Sequence, residues 1–308
     1  IMQGNSLLES YKGVDLSQMQ NEVKRGESVR IKGRRSKQIV VSKPELALVF
    51  DEKDALKNIQ DLVKKYFDIT DHQERDECRN QINRYIKDYI KKCGPAIADE
   101  VDELEIPNSQ FFLWHTYFAD VFENGGFDIV IGNPPYVNVE GITVEDKQVY
   151  KNRFSCFEKR ADLFSLFLEM ALTLLSKESG IVTYIIPSVI HSNLSYKKLR
   201  NLFLNNNWLS EVCYTGGKVF HAPTVDTTIL RFGKNGNRKI ILKNALDFDN
   251  PQVSSVPSDY FSLFQNIISI SDQKTNDLMS KLFNQSFPRL DGRFIVFQGI
   301  VTGNNPAL

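Results

Sequence analysis

The sequence predicts an α/β protein built on a doubly wound sheet, with a helical insertion and the start of a further domain behind it. Two observations carry that class. Phe127–Ile131 and Ile181–Ile186 are short continuous apolar runs bounded by glycine or proline, the pattern of buried parallel strands. Segments of helical period alternate with them, as in sheets covered by helices on both faces. The composition agrees, because 42% apolar residues over 308 positions can fill sizeable cores and 25% charged residues is a globular balance.

Residues 1–8 read as the tail of a strand entering a turn. Residues 20–43 carry Lys24, Arg25, Arg30, Lys32, Arg34, Arg35, Lys37 and Lys43 against only Glu22 and Glu27. Such a stretch is either a solvated loop or an arm that meets phosphates. Asp15, Glu22 and Lys24 have the letters of a nuclease carboxylate–lysine motif without its flanking apolar strands. From Asp51 the pattern is helical, and Ile82, Tyr85, Ile86, Tyr89 and Ile90 share one face until Gly94-Pro95 ends it. With Leu56–Phe67 this makes a helical insertion over residues 51–95.

The strand Phe127–Ile131 comes next. Asp162 is placed to cap a helix running to about Ser176, with Leu163, Leu166, Phe167, Met170 and Leu174 on its buried side. Pro187 ends the strand Ile181–Ile186, a helix covers Tyr196–Phe203, and strands follow near Leu209–Tyr214, Val225–Phe232 and Lys239–Leu242. Asp247–Asp259, rich in Asp, Asn, Ser and Pro, marks a linker or domain edge, the start of a linker and helix over 247–285. A helix near Ser271–Phe283 and a segment Phe294–Leu308 close the sequence.

Several classes are excluded. No apolar run approaches the roughly 20 residues of a membrane helix. Cys78, Cys93, Cys156 and Cys213 are far apart, so neither a zinc site nor a disulfide framework is expected, and reduced thiols in a cytoplasm are the default. Lys and Arg number 38 and Asp and Glu 38, and a zero net charge gives no electrostatic sign of a nucleic-acid partner. The chain starts at Ile1 without a leader pattern and reads as an excerpt of a longer one.

The chemistry lies in Gly132-Asn133-Pro134-Pro135-Tyr136, past the carboxyl end of Phe127–Ile131, where ligands bind in such sheets. A chance Asn-Pro-Pro-Tyr in a chain of this length has odds on the order of one in a thousand. The bland reading is a rigid turn with the tyrosine packed beneath it. The functional reading is methyl transfer to an amine conjugated to a ring, whose delocalised lone pair makes it a poor nucleophile. Two acceptors, the Asn133 carboxamide oxygen and the Pro134 carbonyl, can take its two N–H groups and localise that lone pair. The prolines restrict their own φ and the residue before each, so the acceptors are in place before the substrate arrives. Tyr136 offers a face for an extruded base, worth about 1–3 kcal/mol.

FDIVIGNPPYV (Phe127–Val137) closely resembles motif IV of the γ-class N6-adenine DNA methyltransferases, in particular the Type IIG restriction–modification enzymes. Trp114–Gly126 is similar to that family's entry into the strand. Arg160–Ile190 resembles its motifs V and VI, and Phe294–Asn305 its entry into a C-terminal target-recognition domain. The resemblance implies a class I S-adenosylmethionine-dependent fold with sheet order 3-2-1-4-5-7-6. It implies a partial catalytic domain over 1–246 and the start of a target-recognition domain over 286–308. It also implies S-adenosylmethionine as cofactor, double-stranded DNA as partner, and an endonuclease fused upstream.

Residue by residue, Asn133 and Pro134 match the adenine N6 acceptors, Tyr136 with Pro135 the base-stacking side, and Phe220 the aromatic that clamps the other face. Gly4-Asn5-Ser6-Leu7 resembles motif III, which puts Asn5 and Ser6 near the cofactor, with Asn5 where the family has an acidic residue. The family's glycine loop and ribose-binding acid have no counterpart here, so this stretch alone is not expected to hold the methyl donor. Methylation of a protein glutamine amide, which uses the same acceptor pair, and an inactive DNA-binding fragment remain alternatives.

Overall fold

The computed structural model describes residues 4–12, 14–15, 51–93, 95–103, 111–217, 219–220, 225–236 and 238–284. The basic stretch 20–43, Glu22 and Lys24, and the segment 286–308 lie outside them. The chain divides into two compact units. One comprises Ile1–Val130, Ile142–Phe157 and Leu166–Gly180, the other Ile131–Gly141, Glu158–Ser165 and Ile181–Leu308.

In the first unit, β1 (Ser10–Tyr11) pairs antiparallel with β2 (Val14–Asp15). The expected helical hairpin is α1 (Asp51–Asp68) and α2 (His72–Cys93). Ile59 and Val63 of α1 and Ile82, Ile86 and Ile90 of α2 are buried, while Tyr85 and Tyr89 are half-buried at the rim of the same face. A 3-10 turn at Pro95–Ile97 follows, where Pro95 has no N–H to continue α2. The helical stretch then runs on through α3 (Ala98–Asp102), which buries Val101. Next come α4 (Trp114–Tyr117) and α5 (Ala119–Glu123), where Trp114, Phe118 and Phe122 form edge contacts with Phe127 at 5.3–6.1 Å between ring centroids.

The sheet starts with β3 (Phe127–Gly132). After α6 (Val144–Arg153), capped by the Thr143 hydroxyl, come α7 (Leu163–Met170), β4 (Ser176–Pro187) and α8 (Lys197–Asn205). The remaining elements are β5 (Leu209–Gly216), β6 (Thr227–Gly233), β7 (Lys239–Asn244), β8 (Gln252–Pro257) and α9 (Gln273–Asn284). The strand order is β3-β4-β6-β5-β7-β8. Its first four strands reproduce the 4-5-7-6 portion of the expected order, so the α/β methyltransferase class stands.

Four details add to or depart from the expectation. The sheet is mixed: β6 runs antiparallel to both β4 and β5, and β8 antiparallel to β7. The connection from Gly216 to Thr227 is too short for the crossover that a parallel neighbour needs. Second, β3 is not buried. Among the described residues it has one sheet neighbour, and Ile129 and Ile131 are 61% and 77% exposed.

Third, α7 is apolar nearly all round, burying Phe164, Leu166, Leu168 and Met170. It passes into a π-helical turn at Ala171–Leu175 whose wider spacing turns Leu172 and Leu175 inward. The expected Leu163, Phe167 and Leu174 are only half-buried. Fourth, the stretch expected as linker contains β8. Its buried Ser254 hydroxyl donates to the Ser271 carbonyl at 2.7 Å and accepts from Asn276 at 3.1 Å. Of the two buried positions of β8, Val256 is apolar and this polar network fills the other. Among the described residues no helix is long and apolar enough to cross a membrane.

Candidate functional site

The Asn133–Tyr136 loop leaves β3 at Gly132, where an added Cβ would come within 2.8 Å of the Tyr184 ring. Only a glycine lets the chain pass this buried tyrosine of β4. Asn133 and Pro135 are exposed and Pro134 is buried. The half-buried Tyr136 donates its hydroxyl to the Ile185 carbonyl at 3.1 Å and makes a T-shaped contact with Phe164 at 6.4 Å. Burial raises the Tyr136 phenol above its usual range, so it stays protonated as that donor.

Past Tyr136 the chain is held again. Leu163 N–H donates to the Val137 carbonyl at 2.8 Å and Val139 N–H to the Ala161 carbonyl at 3.0 Å. The Asn138 amide donates to one oxygen of Asp162 at 3.2 Å, and the Tyr196 hydroxyl donates to the other at 2.8 Å. Tyr196 packs on Phe164 at 4.9 Å, and burial together with the Asp162 carboxylate raises its phenol well above the usual range. The expectation that Asp162 caps α7 with its side chain is therefore corrected. Its backbone carbonyl receives Ser165 N–H at 3.0 Å, while its carboxylate serves the loop.

The ends of β4 and β5 meet at Thr227 of β6, which pairs with both Pro187 and Gly216. Ile185, the anchor of Tyr136, lies two residues before Pro187. The half-buried Phe220 lies four residues past Gly216, so tyrosine anchor and aromatic loop belong to one end of the sheet. Gly216 turns that loop with φ +65°, a conformation that favours glycine. Asp226 ties it down by accepting Ser188 N–H on its carbonyl at 2.8 Å and the Tyr214 hydroxyl on its carboxylate at 2.9 Å. Beside it, the buried Nε2 of His191 has no hydrogen-bond partner among the described residues, and burial with the nearby Arg200 lowers its pKa to about 4.

Asn5 and Ser6 belong to the first unit. The Asn5 side-chain oxygen accepts Leu7 N–H and its amide donates to the Tyr150 hydroxyl, both at 3.1 Å. The Ser6 carbonyl accepts the Trp114 indole at 2.9 Å. Glu9, three residues on, is buried between Arg153 at 2.9 Å and His115 at 3.1 Å. Burial pushes its carboxyl up, but these two partners outweigh it and the net shift is downward.

The profile of the Eco57I restriction-modification methylase family matches residues 10–220. The chain belongs to this family. Among curated relatives, the type II restriction enzyme and methyltransferase RM.Eco57I of Escherichia coli is 29% identical over 201 residues, 59% of this chain and 19% of the relative. The type II methyltransferase M.BstVI of Geobacillus stearothermophilus is 38% identical over 101 residues, 33% of this chain and 17% of the relative. The chain thus matches less than a quarter of the length of either. A solved type I restriction-modification methyltransferase subunit from Streptococcus thermophilus is similar over 61% of this chain and 38% of that one, at 16% identity and a TM-score of 0.36.

The family match takes in Asn133–Tyr136 and Phe220 and begins after Asn5 and Ser6. Sequence reasoning missed Asn138, the second role of Asp162, and Tyr196. Each is a common polar residue at a helix start or in a loop, and only the fold pairs residues 138, 162 and 196.

Proposed function

We propose that this protein is the modification part of a restriction–modification enzyme of the γ-class, Type IIG kind. It methylates N6 of adenine in a specific sequence of double-stranded DNA, on a base turned out of the helix. The observation that carries this reading is the exposed Asn133 on a loop held on both sides, by the close approach of Gly132 to Tyr184 before it and by Ile185 and Ala161–Leu163 after it. The Asn133 side-chain oxygen and the Pro134 carbonyl accept the two N6 hydrogens and localise the nitrogen lone pair. Tyr136 and Phe220 hold the two faces of the base. Neutral Asn133 changes no protonation state here: as the N6–methyl bond forms the methyl–sulfonium bond breaks, and the strongly acidic methylated nitrogen then sheds one proton to water, so the step requires no tuned base.

S-adenosylmethionine is the donor this reading requires, and it supplies an electrophilic methyl on a sulfonium centre. The donor set around Asn5 suits its adenine edge. A carboxamide has two N–H groups and two lone pairs, and the bonds to Leu7 and Tyr150 use one of each. Asn5 therefore keeps both a donor and an acceptor for it, with Ser6 beside it. A fused endonuclease belongs to the same reading.

The test is incubation of the full-length protein with methyl-labelled S-adenosylmethionine and either a mixed-sequence DNA duplex or a glutamine-bearing release-factor peptide. Label in duplex adenine N6, abolished by Asn133→Ala, is expected. Label in the peptide, or none in DNA, overturns the proposal. Membership in the Eco57I family supports DNA over the peptide.

A further inference from the structure

We propose that Asp162 is a positioning residue for the Asn133–Tyr136 loop, its carboxylate clasping the loop's far side through Asn138 and backing onto Tyr196. This deepens the methyl-transfer reading and rests on it. An aspartate just before a helix ordinarily turns its carboxylate to the first N–H groups of that helix. Asp162 leaves that task to its backbone carbonyl, which takes Ser165 N–H at 3.0 Å, and points both oxygens the other way. Asn138 is oriented for its part, since its own oxygen accepts Glu140 N–H at 2.8 Å and leaves its amide facing Asp162. Asn138 and Asp162 also form an isolated antiparallel bridge, flanked by the Val137–Leu163 and Val139–Ala161 backbone bonds.

The clasp begins two residues beyond Tyr136 and five beyond Asn133. With the strand end held against Tyr184, the acceptor loop is a short span fixed at both ends. A carboxylate suits the post because it accepts two hydrogen bonds at once, and both are charge-assisted. Acceptors that must meet N6 at hydrogen-bond distance tolerate little drift, and a misplacement of about 1 Å costs about a hundredfold in rate.

Asp162→Ala, Asp162→Asn and Asn138→Ala in the full-length protein separate positioning from mere folding. An asparagine at position 162 can still accept from Asn138 while donating to the Tyr196 oxygen, so it should rescue. We expect Asp162→Ala to lower kcat by at least about tenfold with KM for S-adenosylmethionine within about threefold, and Asp162→Asn to stay within about threefold of wild type. Asn138→Ala should fall between them, and in the double variant Asp162→Ala/Asn138→Ala the losses should not add. Hydrogen exchange at the Val139 and Leu163 amides reads the clasp independently of activity and should accelerate in Asp162→Ala.

A kcat within about twofold of wild type in Asp162→Ala, or additive losses, overturns the proposal. Unchanged amide exchange overturns it as well. If Asp162→Ala does not fold, Asn138→Ala decides: a selective drop in kcat supports the proposal and an unchanged kcat overturns it. Wild-type protein that leaves DNA unmethylated defeats the parent reading instead, and amide exchange still judges the clasp.

Discussion

The Tyr136 hydroxyl donates a 3.1 Å hydrogen bond to the backbone carbonyl of Ile185. A β4 carbonyl two residues from the strand's end is thereby tied to the aromatic of the candidate acceptor loop. The tyrosine ring is held by its far tip and packs edge-on against Phe164.

That bond separates two functions of one side chain. Tyr136→Phe keeps the ring and should cost about 0.5–1.5 kcal/mol of stability, read by urea denaturation, with methylation largely preserved. Tyr136→Ala also removes the stacking face and should weaken retention of the flipped base by about 1–3 kcal/mol. Fluorescence of 2-aminopurine at the target position reports it, and an unchanged response would remove Tyr136 from the base pocket.

Asn133 is exposed and contributes little packing, so its loss should be felt in chemistry alone. Asn133→Ala should lower the methylation rate by several orders of magnitude while DNA affinity in a gel-shift assay stays near wild type. A loss below about tenfold, or about 1.4 kcal/mol of barrier, would contradict the acceptor role.

Gly132→Ala places a methyl 2.8 Å from the ring of buried Tyr184. The ring or the strand end must yield, at about 1–3 kcal/mol, and Asn133 moves with it. Thermal melting and methylation should both fall. Gly132→Ala with Tyr184→Leu should regain stability, because the smaller side chain frees the space.

His191 predicts an acid limb. Its pKa is lowered to about 4 from an ordinary 6.5, so the folded chain keeps it neutral while the unfolded chain protonates below pH 6.5. Between pH 6.5 and about 4 the unfolded state binds more protons, and stability falls as pH falls. Urea midpoints across that window should drop in wild type and drop less in His191→Leu. Equal slopes would place the titration elsewhere.

The Asn133–Tyr136 motif was legible because Asn-Pro-Pro-Tyr is rare and its rigidity is written into two proline rings. The α2 face was legible because Ile82, Ile86 and Ile90 repeat at the helical period. β8 was not, since Ser254 is buried by hydrogen bonds to residues 271 and 276 rather than by an apolar side chain, and composition read it as linker. The burial expected of β3 also failed, because an apolar run shows that a strand can be covered and not that it is.

By itself the sequence determined the α1–α2 hairpin, the strands β3 to β7, the helices α7 to α9, and the rare Asn133–Tyr136 motif with the family to which it belongs. These follow from local period, ring constraint and side-chain type, which act over a few residues. The tertiary structure alone decided that β6 runs antiparallel between β4 and β5, that Tyr136 hangs from Ile185, and that Asp162 serves residues 138 and 196. Those relationships join positions far apart in the chain, Tyr136 and Ile185 being separated by 49 residues. A hydrogen bond of that span has no signature in the chain until packing brings its two ends together.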